Sequence, residues 1–419
     1  MYAPHLGMKI LLVHNKYKQP GGENVVFESE GELLSNNGHF VERLVFDNSA
    51  IKTFIDKCLS GLKVIYNPVS AQKLKEKIER FKPDIIHVHN FVPLVSPSIF
   101  YVAKKFNIPT ILTLHNYRLI CPSATLLYKG KIYERSVHSV FPFDAIIKGV
   151  YRNSRLQTAA IAIMVAVHNV MGTWRNKIDF YIALSKFAKE KFKSSSLAIP
   201  EERLVVKPNF VPDFGAGEAV RNDELLFVGR LVEEKGIEVL LKATRILDFN
   251  LTIIGEGPLR KLVTDAALTN HNIHYIGFQN KVSIANHMKK CKALIFPSIW
   301  YEGLPLTILE AFSTGTLVIA SKLGAMAEII QDRTNGLLFE AGDEIALANK
   351  IVEAEAEPEW AEHLGHNARL SYLAHYTPEK NYSLLIGIYN KALALKRQQR
   401  DNVIQQSTAE LEKSENAMV

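Results

Sequence analysis

Two glutamates, Glu302 and Glu310, lie eight residues apart in the stretch YEGLPLTILEAFSTG, Tyr301 to Gly315. The first precedes a Gly303-Leu304-Pro305 turn, and the second falls inside an apolar segment about one and a half helical turns further on. Proline is favourable near the first position of a helix. A helix opening here leaves the backbone amides of Leu306 and Thr307 as unpaired donors aimed at an anion. Glu302, ahead of the helix, is free to accept hydrogen bonds from hydroxyls. Glu310 reads as buried, and a buried carboxylate needs strong donors; a sugar diol supplies two.

Three further loops carry candidate chemistry. In FVGRLVEEKG, Arg230 follows an apolar run directly and Lys235 precedes Gly236 at a helix start. Two cations beside a helix N-terminus suit a diphosphate, which arginine can grip with two hydrogen bonds; an ordinary surface pair is the alternative. Gly21 and Gly22 fall between a strand and a helix, where they form either a phosphate cradle or a plain glycine turn. In IIGEGPLRKL, Gly255 and Gly257 depart from the G-x-G-x-x-G spacing because Pro258 and Arg260 follow. That departure argues against a hydride-transferring dinucleotide enzyme and leaves a turn flanking a nucleotide base.

The elements that must position these loops are legible as short β-branched runs alternating with helical patterns, the signature of parallel sheets covered by helices. Strands are expected at 9–15, 40–46, 84–90, 110–116, 180–185 and 204–209. A turn-rich linker, 208–223, interrupts the pattern. It resumes with strands at 225–229, 251–255, 273–277, 293–298, 317–321 and 336–340. The fold class is α/β, with two doubly wound Rossmann-like domains facing each other across a cleft: 1–207, which would bind the acceptor, and 224–378, which would hold the nucleotide. A last helix, 379–395, is expected to return to the first domain, and 396–419 reads as a polar mobile tail.

At 419 residues, two domains are the first expectation, and 47% apolar with 22% charged residues is ordinary for a globular protein. Cys58, Cys121 and Cys291 are widely spaced and odd in number, so they supply neither a disulfide framework nor a thiolate metal cage, which suits the cytoplasm. Residues 1–207 hold 29 Lys and Arg against 16 Asp and Glu, a net of +13 that leaves −6 for residues 208–419. The basic half either meets an anionic partner or is a solvated face. Residues 1–7 do not read as a signal peptide. The run Leu156 to Trp174 is interrupted by Gln157, Thr158, His168 and Asn169 and falls short of the about 20 apolar residues a span requires. It reads as a buried helix, with an interfacial helix touching anionic lipid as the alternative, since Arg152, Arg155, Arg175 and Lys177 bracket it.

Glu302-x7-Glu310 in EGLPLTILEA, together with VGRLVEEKG and IIGEGP at their spacings, resembles the nucleotide-sugar domain of retaining glycosyltransferases of family 4, which have the GT-B fold. The resemblance spans nearly the whole chain and is strongest from Glu224 to Glu340. It implies that Glu302 holds hydroxyls of the donor sugar, that Glu310 holds the ribose diol, and that Arg230 and Lys235 neutralise the diphosphate with help from Gly22 and the helix amides. His115, in TLHNYRLICP, matches the histidine such enzymes place near the reacting sugar. The partners implied are a nucleoside-diphosphate sugar, acting as donor substrate with no separate cofactor, and a glycan or lipid-diphosphate-linked acceptor; no nucleic acid is implied. No D-x-D occurs in the sequence, so catalysis without a metal is expected. A noncatalytic nucleotide-sugar-binding protein and a nucleotide-sugar epimerase of similar fold are the rival readings.

Overall fold

The computed structural model describes residues 7–17, 21–48, 61, 63–218 and 220–416; Cys58 lies outside them. In chain order, β1 (Lys9–Lys16), β2 (Phe40–Asp47), β3 (Ile85–Val88) and β4 (Thr110–Leu114) come first. A short hairpin follows, β5 (Leu127–Tyr128) and β6 (Lys131–Ile132), and then β7 (Phe180–Ala183) and β8 (Leu204–Val206). After the linker come β9 (Glu224–Val228), β10 (Asn250–Ile254), β11 (Ile273–Gly277), β12 (Ala293–Phe296), β13 (Leu317–Ser321) and β14 (Leu337–Phe339).

The first sheet is ordered β2-β1-β3-β4-β7-β8 and the second β11-β10-β9-β12-β13-β14, with every neighbouring pair parallel. Every strand read from the sequence is present, several ending a few residues earlier as the chain turns into a functional loop. The β5–β6 hairpin was not anticipated: two residues a side are too few to show an alternating pattern.

Strands β3, β4, β7, β12 and β13 are buried along their whole length, as expected where helices cover both faces of a parallel sheet. Successive residues of β1 go to opposite cores. Leu11 and Val13 join the cluster around Trp174, while Ile10 and Leu12 join a second one. That second core is completed by Leu385, Ile388, Tyr389 and Ala392 of the Pro378–Asn416 helix, which thus packs on the first sheet.

This helix does not stop at Leu395: the stretch read as a mobile tail continues as helix through Asn416. Its lysines, arginines, glutamines and alanines are good helix formers, and an element running past the core needs no apolar stripe. Lys396 ties it to the first domain, 3.0 Å from the Asp179 carboxylate. The Arg155–Val170 helix buries Ile161, Ala162 and Met164 in the first domain. No helix among the described residues is long and apolar enough to cross a membrane.

The two domains touch along the cleft floor. Leu184 of the first domain packs into the second domain's core beside Leu304. The Glu328 carboxylate accepts from the amides of Lys186 and Phe187 at 2.9 and 2.8 Å, closing the start of the Lys186–Lys193 helix from across the cleft.

Candidate active site

In doubly wound sheets ligands bind beyond the carboxyl ends of the strands, where the strand order reverses. In the second sheet that point lies between β9 and β12, and in the first between β1 and β3. The loops after β9 and β12 carry Arg230, Lys235, Glu302 and Gly303, and those after β1 and β3 carry Gly21, Gly22 and Asn90.

The second-domain loops are held by close backbone packing. A Cβ on Gly255 would lie 1.8 Å from the Gly229 carbonyl oxygen, and one on Gly257 2.4 Å from that of Leu231. The Leu231 amide donates to the Glu256 carbonyl at 2.9 Å. Gly255 and Gly257 therefore seat the Arg230 loop, a task that accounts for their lack of side chains. Gly236, at φ 69°, opposes the Pro297 carbonyl in the same way and brings Lys235 under the loop that follows β12.

Lys235 meets Glu302 there. Glu302 is almost buried, and its Oε1 accepts from Lys235 Nζ at 2.6 Å, Ser298 Oγ at 2.6 Å and Trp300 Nε1 at 2.9 Å. Glu302, read as an acceptor for hydroxyls, thus carries three protein donors on one oxygen, and among the described residues no protein hydrogen bond reaches Oε2. Lys235, read as one of the cations for the diphosphate, is paired here with that carboxylate. Arg230 stays exposed, 3.5 Å from Glu234.

The Leu306–Ser313 helix has Pro305 at its N-cap and no side chain capping its first turn, so the Leu306 and Thr307 amides face the cleft without a side-chain acceptor. Glu310, on the same helix, is half-buried, and among the described residues no hydrogen bond reaches its carboxylate. Burial holds its carboxyl above the usual range, with the Lys281 charge pulling the other way. A desolvated carboxylate with no protein donor is an acceptor awaiting hydroxyls. Its proton sets two opposite trends. The folded chain holds the proton more tightly than the unfolded one, so the empty protein loses stability as pH rises from the ordinary to the raised pKa. Hydroxyl binding is full above the raised pKa and is lost as pH falls through it. We expect Glu310→Gln to weaken nucleotide binding about tenfold and to remove this acid-side loss, as titration of a nucleoside diphosphate at several pH values will read.

Across the cleft, His115 follows β4. Burial, reinforced by the neighbouring His14 and His87, depresses its pKa well below 6.5, so it is neutral. Its Nε2 is 3.1 Å from His89 Nδ1, with the two rings stacked. The second domain reaches it through Gly303: a Cβ there would lie 2.8 Å from the His115 carbonyl oxygen. Asn209 pins the same turn, donating to the Leu304 carbonyl at 3.4 Å. A Cβ on Gly22 would sit 3.7 Å from Leu306 Cδ1, so the first glycine loop faces the opening of the second-domain helix. Gly303→Ala would push backbone against backbone and open the cleft. We expect turnover to fall about a hundredfold while nucleotide affinity changes little, checked by measuring the two side by side.

Behind His115 lies a network that sequence reading missed. His89 Nε2 is 3.4 Å from Glu30 Oε2, and the other Glu30 oxygen accepts from Lys207 Nζ. Lys207 also donates to Asn381 Oδ1 at 3.2 Å, and His87 bonds Tyr389 at 2.9 Å and Thr113 at 2.7 Å. Glu30, His87 and Lys207 are fully buried and His89 nearly so. Burial keeps His87 and His89 neutral, pushing the former down to about 4. The ligand atoms of Glu30, His87 and His89 lie within 4.8 Å of one another, as a metal site would require, but the Lys207 ammonium already supplies the cation. The signal in the sequence was the pair of histidines in DIIHVHN, polar side chains at the end of an otherwise apolar strand.

Two doubly wound domains meeting at a cleft, with a partly buried histidine on one side, match the GT-B architecture of sugar-transferring enzymes. The model of Glycosyltransferase Family 4 matches residues 20–213 and that of Glycosyl transferases group 1 matches residues 214–371. The chain belongs to the family 4-like glycosyltransferases of GT-B fold. It is 27% identical over 369 residues to an uncharacterized glycosyltransferase of Methanocaldococcus jannaschii, covering 86% of this chain and 92% of that one. It is 31% identical over 193 residues to a phosphatidyl-myo-inositol mannosyltransferase of Mycobacterium leprae, covering 44% and 51%. Among solved structures, Anabaena Alr3699/HepE in complex with UDP aligns with a TM-score of 0.64 at 15% identity, covering 92% of this chain and all of that one.

Proposed function

We propose that this protein transfers a sugar, with retention at the anomeric carbon, from a nucleoside-diphosphate sugar to a glycan or lipid-diphosphate-linked glycan acceptor in cell-surface polysaccharide synthesis. The observation that carries the reading is the meeting of Glu302 with Lys235, and of the Gly303 turn with His115, at the mouth of an uncapped helix. The UDP held by the Anabaena neighbour supports a nucleotide in this cleft.

In this reading the bond from the anomeric carbon to the leaving phosphate breaks as the acceptor oxygen forms its bond on the same face, and the acceptor proton passes to that phosphate. Negative charge on the leaving group is met by Arg230, Lys235 and the Leu306 and Thr307 amides. The developing positive charge on the sugar faces a neutral His115, which does not oppose it. Glu310 takes the ribose hydroxyls. The residues supply cations and amides where a D-x-D would hold a metal, so the transfer proceeds without one.

A surface of the first domain suits peripheral contact with the inner face of the cytoplasmic membrane. Phe143, Ile147 and Leu156 are 69%, 65% and 76% exposed, beside the exposed Arg152 and Arg155. Apolar side chains bordered by arginine suit an anionic interface.

The test is a panel of nucleotide sugars read by melting temperature, because a ligand that binds only the folded state stabilises it. One donor is expected to raise it, and that donor is then consumed with an acceptor. His115→Ala is expected to lower turnover and leave donor affinity nearly unchanged. Binding without consumption would indicate a nucleotide-sugar-binding protein, and an altered sugar without acceptor an epimerase; either would overturn the reading.

A further inference from the structure

A small cavity at His115 is lined wholly by first-domain residues, among them His89, Asn90, Asn116 and Arg118. Arg118 is unusual among these groups. Its Nε and Nη1 are buried and reach no acceptor, and the hydroxyl of Tyr17, also buried, has no partner. Tyr17 lies beside the guanidinium without completing a hydrogen bond to it. The guanidinium rests 4.7 Å from the centre of the Tyr151 ring, and an Asx turn, with the Arg118 amide donating to Asn116 Oδ1 at 3.1 Å, fixes its backbone.

Among the described residues no carboxylate forms an ion pair with Arg118. Glu23, whose charge reaches it, is bonded by Asn90 Nδ2 at 3.3 Å. Burial pushes the Glu23 carboxyl up to about 7, so near neutrality it compensates the arginine only in part. A fold that buries a cation with its hydrogen bonds unmade bears a desolvation cost, and that cost is offset when an anion arrives. An arginine fork matches the two oxygens of a carboxylate or phosphate.

We propose that Arg118, with Tyr17 beside it, is an oxyanion-binding subsite for the acceptor, so that the acceptor carries a carboxylate or a phosphate close to the hydroxyl that receives the sugar. The inference rests on the glycosyl-transfer reading for the word acceptor, but not for the anion site itself. Its place follows from His115, which lines this first-domain cavity and whose carbonyl lies against Gly303 of the second domain.

The test uses the full chain saturated with UDP and titrated with glucuronate, glucose 6-phosphate and glucose. At least one anionic sugar is expected to bind about tenfold or more tightly than glucose. Glucuronate winning assigns a carboxylate, and glucose 6-phosphate a phosphate. Arg118→Gln is expected to abolish the preference, and Arg118→Lys, which keeps the charge without the fork, to retain part of it. Unchanged UDP affinity in both variants shows that they are folded. Anionic sugars that bind no better than glucose, or a preference that survives Arg118→Gln, would overturn the proposal. If UDP itself does not bind, the donor reading fails, and an Arg118-dependent preference measured without UDP still decides the anion site.

Discussion

Glu30→Gln is expected to destabilise the first domain by about 3–5 kcal/mol, the cost of leaving a buried charge without its partner. Lys207 is fully buried, and its other acceptor, Asn381 Oδ1, is neutral. Once Glu30 loses its charge, the ammonium must either lose its proton or draw water into the core. The double variant Glu30→Gln, Lys207→Met removes both charges, and much of the loss should then be recovered, because a buried ion pair replaced by neutral groups of similar volume is often near neutral in stability. Urea unfolding of the two single variants, the double variant and the parent closes the cycle. A double variant as unstable as the worse single one would show that the pair is not the unit.

The same pair lies behind His89 and therefore behind His115, and it joins β8 to the Pro378–Asn416 helix through Asn381. That helix is the last element of the chain and packs on the first sheet, so the geometry of the cleft histidine depends on residues 174 positions downstream of Lys207. A link of this kind is invisible in a sequence. Glu30 reads as one of several acids on an amphipathic helix, and Lys207 as one basic residue before a proline, until folding brings them together across 177 positions.

What was legible follows from local physics. Parallel strands buried on both faces must be nearly continuous apolar runs, so β3, β4, β12 and β13 announced themselves, and Gly303 and Pro305 after β12 marked where a helix begins. The loops that end those strands were therefore found with their residues: Arg230, Lys235, Glu302, Glu310 and His115. Pairing was not legible. Nothing in FVGRLVEEKG says that Lys235 will turn to Glu302, 67 positions on. Nor does IIGEGP reveal that its glycines serve contact with the Gly229 and Leu231 backbone. Arg118 was passed over because an arginine in a loop is ordinary; its distinction is the lack of partners, which only three-dimensional neighbours can show.

Glu302→Gln is expected to lower sugar transfer by about 10²–10³-fold without weakening UDP binding. The carboxylate fixes three donors on one oxygen, and a glutamine of the same shape offers a weaker neutral acceptor in place of the charge. Oε2, which no protein hydrogen bond reaches among the described residues, is the atom left for a hydroxyl of the donor sugar, and a bond to a charged acceptor is about twice as strong as one to a neutral group. UDP lacks the transferred sugar and does not use that oxygen. Lys235, released from its carboxylate, is then free to lean toward the diphosphate, so UDP affinity should hold or rise. Transfer rates and UDP titrations on the same preparation separate the two roles. If UDP affinity falls in step with transfer, Glu302 serves chiefly to hold Lys235 in place, and the sugar hydroxyls must find another acceptor. If transfer alone falls, the carboxylate that appeared in the sequence as a cost ahead of a helix is the group that reads the sugar.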